Sequence, residues 1–145
     1  MKWICRNFND LTNYQIWEMY HIRAETFCVQ QHRTFVDADE NDLVAQHVLG
    51  FNDDNKLVAY ARFYSEGDHL DFGRVLTVPA VRGQGIGKQL MDYLLHQIEL
   101  VNHPHQSIII TAQADKQGFY ERFGFVAQGD VFIHEQTPHI MMKKE

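Results

Sequence analysis

The stretch LTVPAVRGQGIGKQLMDYLL, Leu76 to Leu95, decides how this chain is read. It opens as a β-rich run and then sets glycines at alternate positions, Gly83, Gly85 and Gly87. Beyond them Ile86, Leu90, Leu94 and Ile98 recur at every fourth residue, the period of an amphipathic helix. The glycines therefore sit at a helix N-terminus, where backbone N–H groups lack partners and the peptide dipoles leave a partial positive charge. Without side chains to shield those groups, the loop is an anion site suited to phosphate.

Two familiar phosphate loops fail on spacing. The dinucleotide fingerprint needs glycines at its first, third and sixth positions. The sixth position from Gly83 is Lys88. The P-loop needs Gly-Lys followed by Ser or Thr, four residues after its first glycine. Here three residues separate Gly83 from Gly87, and Gln89 follows Lys88.

Composition sets the wider limits. At 145 residues with 45% apolar content, the chain is expected to fold as one domain spanning residues 1–145. Its net charge of −6 disfavours nucleic acid as a partner. Two scattered cysteines, Cys5 and Cys28, do not make a disulfide framework. The N-terminus turns polar after five residues, and no apolar stretch reaches membrane-spanning length, so a soluble cytoplasmic protein is expected.

Outward from the glycine loop, KWICRNF reads as a first strand. Ile16, Tyr20, Ala24 and Phe27 then mark a helix over Leu11–Val29, with Asn9 or Asp10 as N-cap. QHVLGF, KLVAYARFYS and HLDFGRVLTV follow as strands joined by NDDN and EGD turns, an antiparallel meander. After the long helix, which ends near NHPH, SIIITA is a continuous apolar run that predicts a strand covered on both faces. KQGFYERF predicts a short helix, and GFVAQGDVFI and HIMMKK two closing strands. The order β-α-β-β-β-α-β-α-β-β makes an α/β (α+β) domain.

Arg62 and Arg74 sit inside apolar strand runs. Strict alternation puts Phe72, Arg74 and Leu76 on one face. A buried guanidinium needs a carboxylate, and Asp37, Asp39 or Asp42 could supply it, forming a polar cluster beside an acceptor pocket. HEQTPH (His134 to His139) has one residue too many for the zinc-protease pattern, and Pro138 disfavours its helix. HPH at His103 to His105 reads as a surface turn. No functional metal is expected.

RGQGIG after a strand ending in VPAV resembles the pattern Arg/Gln-x-x-Gly-x-Gly/Ala of the GNAT (GCN5-related N-acetyltransferase) superfamily. FYERFGF (Phe119 to Phe125) resembles its Tyr-x-x-x-Gly-Phe segment. The element order matches over nearly the whole chain. HVLGF, LVAYARF, TAQADKQGFYERFGF and TPHIMM further resemble the ElaA-like branch, as does Arg23-x-x-x-Phe27 followed by Asp37-x-Asp39-x-x-Asp42. The chain departs from that branch at Gln30-Gln31, where Glu-Gln is usual, and at Arg33-Thr34-Phe35, where Cys-Pro-Tyr is favoured.

The resemblance implies a mostly antiparallel, twisted mixed sheet flanked by helices. It implies acetyl-CoA as co-substrate and transfer of its acetyl group to a primary amine of a small molecule or peptide. Backbone groups of Leu76 and Val78 would hold the pantetheine. Amides of Gly83, Gln84, Gly85, Ile86, Gly87 and Lys88 would hold the pyrophosphate, with Arg82 and Lys88 adding charge. Tyr120 would protonate the leaving thiolate. The base stays open among His47, His139, Glu25, the acidic loop and an ordered water. Arg74, Asp39 and Glu25 are the candidate acceptor contacts. A homodimer is compatible with the family. The competing reading is a CoA-binding module without catalysis.

Overall fold

The expected order of elements holds in the computed structural model, which describes residues 1–102 and 105–145. The His103–His105 turn therefore lies mostly outside the described residues. Strand β1 (Lys2–Asn7) leads through a 3-10 turn to helix α1 (Asn13–Ala24) and a π-helical turn (Glu25–Gln30). A one-turn helix α2 (Asn41–Val44) precedes the meander β2 (Gln46–Phe51), β3 (Leu57–Glu66) and β4 (His69–Thr77). Helix α3 (Ile86–Val101) is followed by β5 (Ile108–Gln113), α4 (Gln117–Glu121), β6 (Val126–His134) and β7 (Thr137–Lys144). The seven strands form one sheet in the order β1-β2-β3-β4-β5-β7-β6. Every neighbouring pair is antiparallel except β4 and β5, which run parallel.

Two apolar layers hold the sheet. On one face Ile86, Leu90, Met91, Leu94 and Ile98 of α3 pack on Val48, Ala59, Ala61, Phe63 and Phe72. Each large side chain buried this way stabilises the fold by about 1.5–3 kcal/mol. On the other face Met19 and Ile22 of α1, with Phe27, pack on Leu49, Phe51, Tyr60 and Leu76. That second layer draws on β1 to β4 and on no residue of β5. Consequently β5 is not covered on both faces as its apolar run suggests: Ile108, Ile110 and Ala112 are buried, while Thr111 is exposed and Ile109 half-buried.

The start of α1 is also corrected. Thr12, not Asn9 or Asp10, is the N-cap. Its hydroxyl accepts from the Gln15 N–H at 3.1 Å, and the Gln15 side chain accepts from the Thr12 N–H at 3.0 Å. This reciprocal box satisfies two otherwise bare donors. The buried face of α1 is Met19, Ile22 and Arg23, whereas Ala24 is exposed. An arginine counts as core here because acidic partners reach it, as described below.

Strand β4 carries the irregularity that matters most. Its pairing with β3 shifts between Arg62–Gly73 and Tyr60–Leu76, so Arg74 and Val75 together oppose Ala61. Arg74 has a left-handed φ of +53°. Such a bulge bends a strand and re-aims its side chains. Phe72 accordingly packs in the α3 layer and Leu76 in the α1 layer, against the shared face that strict alternation predicts.

Candidate active site

Strands β4 and β5 are joined at a single register point, Leu70 with Ile108. The Leu70 N–H donates to the Ser107 carbonyl at 2.9 Å. Beyond that point the bulge turns β4 away and the strands part around a cavity of about 780 Å³. The parted edges carry backbone groups that the sheet does not use, the geometry by which an extended ligand is taken up as an added strand.

Which β4 groups face this gap follows from register. The Val78 N–H donates to the Val58 carbonyl at 2.9 Å, toward β3. By the two-residue period Leu76, paired with Tyr60, also points toward β3. The expectation for Leu76 and Val78 is thus displaced by one residue: Val75 and Thr77 present their backbone to the gap. The Thr77 carbonyl confirms the direction, accepting from Arg82 Nε at 3.1 Å.

The glycine loop stands at the open end. Gly83 and Gly85 have φ of +81° and +79°, values that side-chain-bearing residues adopt at a cost. No N–H from Gly83 to Lys88 meets an acceptor among the described residues, and the first helical bond is Gln89 N–H to the Gly85 carbonyl at 3.2 Å. Six successive bare donors lead into α3. Arg82 lines the cavity and also reaches the Gln30 side chain at 3.3 Å. Lys88 is exposed and paired with Asp92 at 2.8 Å.

Tyr120 lines the cavity from α4 and is 8% exposed. Its ring packs with Phe72, Phe119 and Phe125 at centroid distances of 5.9, 5.2 and 6.2 Å. Its hydroxyl has no hydrogen-bond partner among the described residues. Burial pushes the phenol's pKa up, so it stays protonated at neutral pH.

On the α1 side an ionic cluster backs the cavity. Arg23 Nε donates to Asp37 at 2.9 Å and its Nη1 to Asp42 at 2.8 Å. Arg62 donates to Asp39 at 2.8 Å and to Asp42 at 2.7 Å. Arg74 Nε donates to Asp37 at 2.7 Å. The bulge thereby sends Arg74 into the same network as Arg62, and both Arg74 and Asp39 line the cavity. The expected polar cluster exists, and it uses all three aspartates.

Two candidates for the base are misplaced. His47 is fully buried, with Nε2 2.8 Å from the Asp42 carbonyl and Nδ1 2.6 Å from the Tyr60 hydroxyl. The carbonyl can only accept, so Nε2 carries the proton and Nδ1 accepts from Tyr60. Both nitrogens are occupied and burial holds the ring neutral, which leaves it no access to a substrate. Glu25 is exposed, pairs with His21 at 3.1 Å, and is not among the residues lining the cavity. His139 does line it, with Nδ1 2.7 Å from the Thr137 carbonyl, so its Nε2 is the bare nitrogen. It pairs with Gln113 at the far end of β5 from the Leu70–Ile108 junction.

Two lining residues escape a sequence reading. Asp71 follows the junction directly on β4, and burial raises its carboxyl to about 6. Its only legible signal was a carboxylate between the apolar Leu70 and Phe72. Arg33 lines the same cavity, held by a contact to the β6–β7 turn that no local pattern foretells. Among the described residues no group of His, Cys, Asp and Glu is placed to hold a metal, and no helix is long and apolar enough to cross a membrane.

A family description, Acetyltransferase (GNAT) domain, matches residues 9–145. The chain belongs to the GNAT family. Within that family it is 34% identical to the protein ElaA of Escherichia coli, over 100% of this chain and 97% of that one. The crystal structure of Escherichia coli ElaA superimposes with a TM-score of 0.93 at 33% identity, covering 100% of both chains. An acyl-CoA N-acyltransferase from Pseudomonas aeruginosa gives 0.92 at 33% identity, covering 99% of each chain. An aminoglycoside 6'-N-acetyltransferase complexed with coenzyme A gives 0.72 at 15% identity, over 97% of this chain and 96% of that one, and shares the fold alone. This GNAT protein is an ElaA-like member with the acyl-CoA N-acyltransferase fold, and acyl transfer is the reaction class of its family.

Proposed function

We propose that this protein, acting as a single domain over residues 1–145, transfers an acetyl group from acetyl-CoA to a primary amine of a small molecule or peptide. The observation that carries the reading is the junction of a strand gap, six bare amides and a protonated tyrosine with no partner. The residues present fit the coenzyme, because an unpaired strand edge and a cationic helix start match an amide-bearing arm and a diphosphate. Bound acetyl-CoA supplies the activated acyl group; the protein supplies position and protons. The Val75 and Thr77 backbone align the arm, and the amides from Gly83 to Lys88 grip the diphosphate. Arg82, resting on Thr77 and Gln30 without ligand, turns to the phosphates. The neutral amine attacks the thioester carbonyl, so that a C–N bond forms and the C–S bond breaks; Asp71 takes the proton the nitrogen loses and Tyr120 protonates the departing thiolate. Amine and thioester thus end as amide and free thiol, and solvent carries the proton from Asp71 back to Tyr120.

Asp71 is preferred as base over His139 because it adjoins the point where the strands part. Its raised pKa has a stability consequence. A carboxyl lifted from 3.8 to about 6 favours the fold while protonated, and that contribution is lost as pH rises from about 4 through about 6. Asp71→Asn should therefore lower kcat sharply yet gain on the order of 1–2 kcal/mol of stability at pH 8. Steady-state rates and urea melts test this. A destabilised variant with full activity would remove Asp71 from the mechanism.

Calorimetry with CoA tests the reading as a whole. Wild type should bind, and Arg82→Ala should bind about tenfold more weakly, as loss of one charge-assisted contact implies. No heat with CoA at millimolar concentration, from protein shown to be native, defeats the proposal. Thiol release with a panel of amines separates the enzyme from the non-catalytic CoA-binding module. The reading involves no metal, no nucleic acid and a cytoplasmic site. It allows a homodimer through β6, an edge strand exposed along its length with Val126, Val131 and Ile133 outward. Sedimentation of an Ile133→Lys variant as a monomer beside a dimeric wild type would support that pairing; a monomeric wild type rejects it.

A further inference from the structure

We propose that Arg33 is the receptor for a carboxylate on the acceptor, so that the amine substrate is an amino acid or an amine of the same zwitterionic kind. The inference rests on the N-acyltransfer reading and narrows its acceptor.

In the ionic cluster behind the cavity each arginine is matched by carboxylates, whereas the exposed Arg82, which also lines the cavity, rests on neutral groups. Arg23, Arg62 and Arg74 face Asp37, Asp39 and Asp42, three charges against three. Arg33 stands outside that balance. It is 8% exposed, yet its partners are neutral: Nε donates to the Glu135 carbonyl at 2.8 Å and Nη1 to the Gln31 side chain at 3.1 Å. Nη2 meets no acceptor among the described residues. The Glu135 and Asp37 carboxylates are close enough to be felt, but neither comes within 4.0 Å of it. A largely buried cation without an anion is unfavourable, and the unpartnered Nη2 leaves room on the cavity wall for something to supply the missing charge.

The Phe35 ring eases the charge on one side, with the Arg33 guanidinium 4.5 Å from its centre, but it is shared with Arg74 at 5.7 Å, which brings a second cation close. Burial and the Arg74 charge both push the pKa of Arg33 down. A carboxylate beside Arg33 would relieve both effects and match the planar fork of the guanidinium.

The placement is also built. Thr34 and Gln136 exchange two hydrogen bonds, N–H to Oε1 at 3.0 Å and Nε2 to carbonyl at 3.2 Å. His32, Glu135 and Gln136 all hold left-handed φ, at 54°, 47° and 65°. Glu135 and Gln136 form the two-residue loop of the β6–β7 hairpin, where positive φ at both positions is the ordinary geometry. The contacts of that loop with Arg33 and Thr34 fix Arg33 on the wall of the cavity that also holds Asp71 and Tyr120. One end of the cavity thus offers a carboxylate to an amine and the other a guanidinium to an anion.

The test uses full-length protein saturated with CoA and a series of ω-amino acids from glycine through β-alanine to aminohexanoate. Each is compared with the alkylamine that lacks the carboxylate. Calorimetry reads binding and needs no turnover. At least one amino acid should bind about tenfold or more tightly than its amine partner, the penalty for leaving a built polar receptor empty. Arg33→Gln should remove that preference without changing CoA affinity, and Arg33→Lys should keep part of it. A preference that survives Arg33→Gln overturns the inference, as does a wild type in which no carboxylate improves binding. In either case intact CoA binding leaves the N-acyltransfer reading standing, whereas failure of CoA itself to bind removes both.

Discussion

Replacing Tyr120 with Phe is expected to lower kcat by about 100-fold or more, within the range that a positioned acid contributes. CoA affinity should change little. The Tyr120 hydroxyl makes no hydrogen bond among the described residues, on the wall of the cavity. A tyrosine kept for packing would have its oxygen paired, and its removal would cost stability. Here removal leaves the contacts with Phe72, Phe119 and Phe125 in place. The variant should therefore melt at or above the wild-type temperature while its turnover collapses. Steady-state kinetics and a thermal melt on the same preparation check both halves. Unchanged kcat would hand the proton to solvent. In wild type, kcat/KM should rise with pH through about 6, as Asp71 ionises.

The largest stability loss is expected at Asp42. This carboxylate is 1% exposed. It accepts from Arg23 at 2.8 Å, Arg62 at 2.7 Å, the Tyr20 hydroxyl at 3.1 Å and the Asp39 N–H at 3.2 Å. Asp42→Asn removes one charge from a balanced set and leaves a buried cation excess. Breaking a buried pair in this way typically costs about 3–5 kcal/mol. Urea titration gives the value, and a loss under about 1 kcal/mol would show that the arginines relax to water. The acid response follows with a definite sign. Burial opposes ionisation of Asp42, but the Arg23 and Arg62 contacts outweigh it and hold its pKa well below the usual range. Arg62 and Arg74 hold Asp39 down similarly. A depressed folded pKa gives stability that is full above about pH 4 and drains away as pH falls further. Wild type should lose stability steeply below pH 4, and Asp42→Asn less steeply.

The same cluster explains why some residues resist a reading by sequence. His47 has the residue type for a base, but its role is set by Asp42 and Tyr60 from other segments. Arg33 is given its place by Glu135, a residue 102 positions away. Asp71 resembles any polar residue on a strand until the parting of β4 and β5 places it beside a cavity. The resemblance points to Leu76 and Val78, but the register of β4 on β3 turns their backbone toward β3 and leaves Val75 and Thr77 on the open side, which pairing between distant strands decides.

Sequence alone determined the order of strands and helices and the glycine-lined start of α3, while the tyrosine of FYERFGF was singled out by its resemblance to a family pattern. The first two are written in short-range terms: a period of two or four, or the φ freedom of a glycine. Tertiary structure decided which β4 amides open to the gap, which carboxylate is raised toward neutrality and which buried arginine lacks an anion. Those depend on bulges, burial and charge pairs between distant segments, where a single residue's environment is the sum of neighbours that no local spacing encodes.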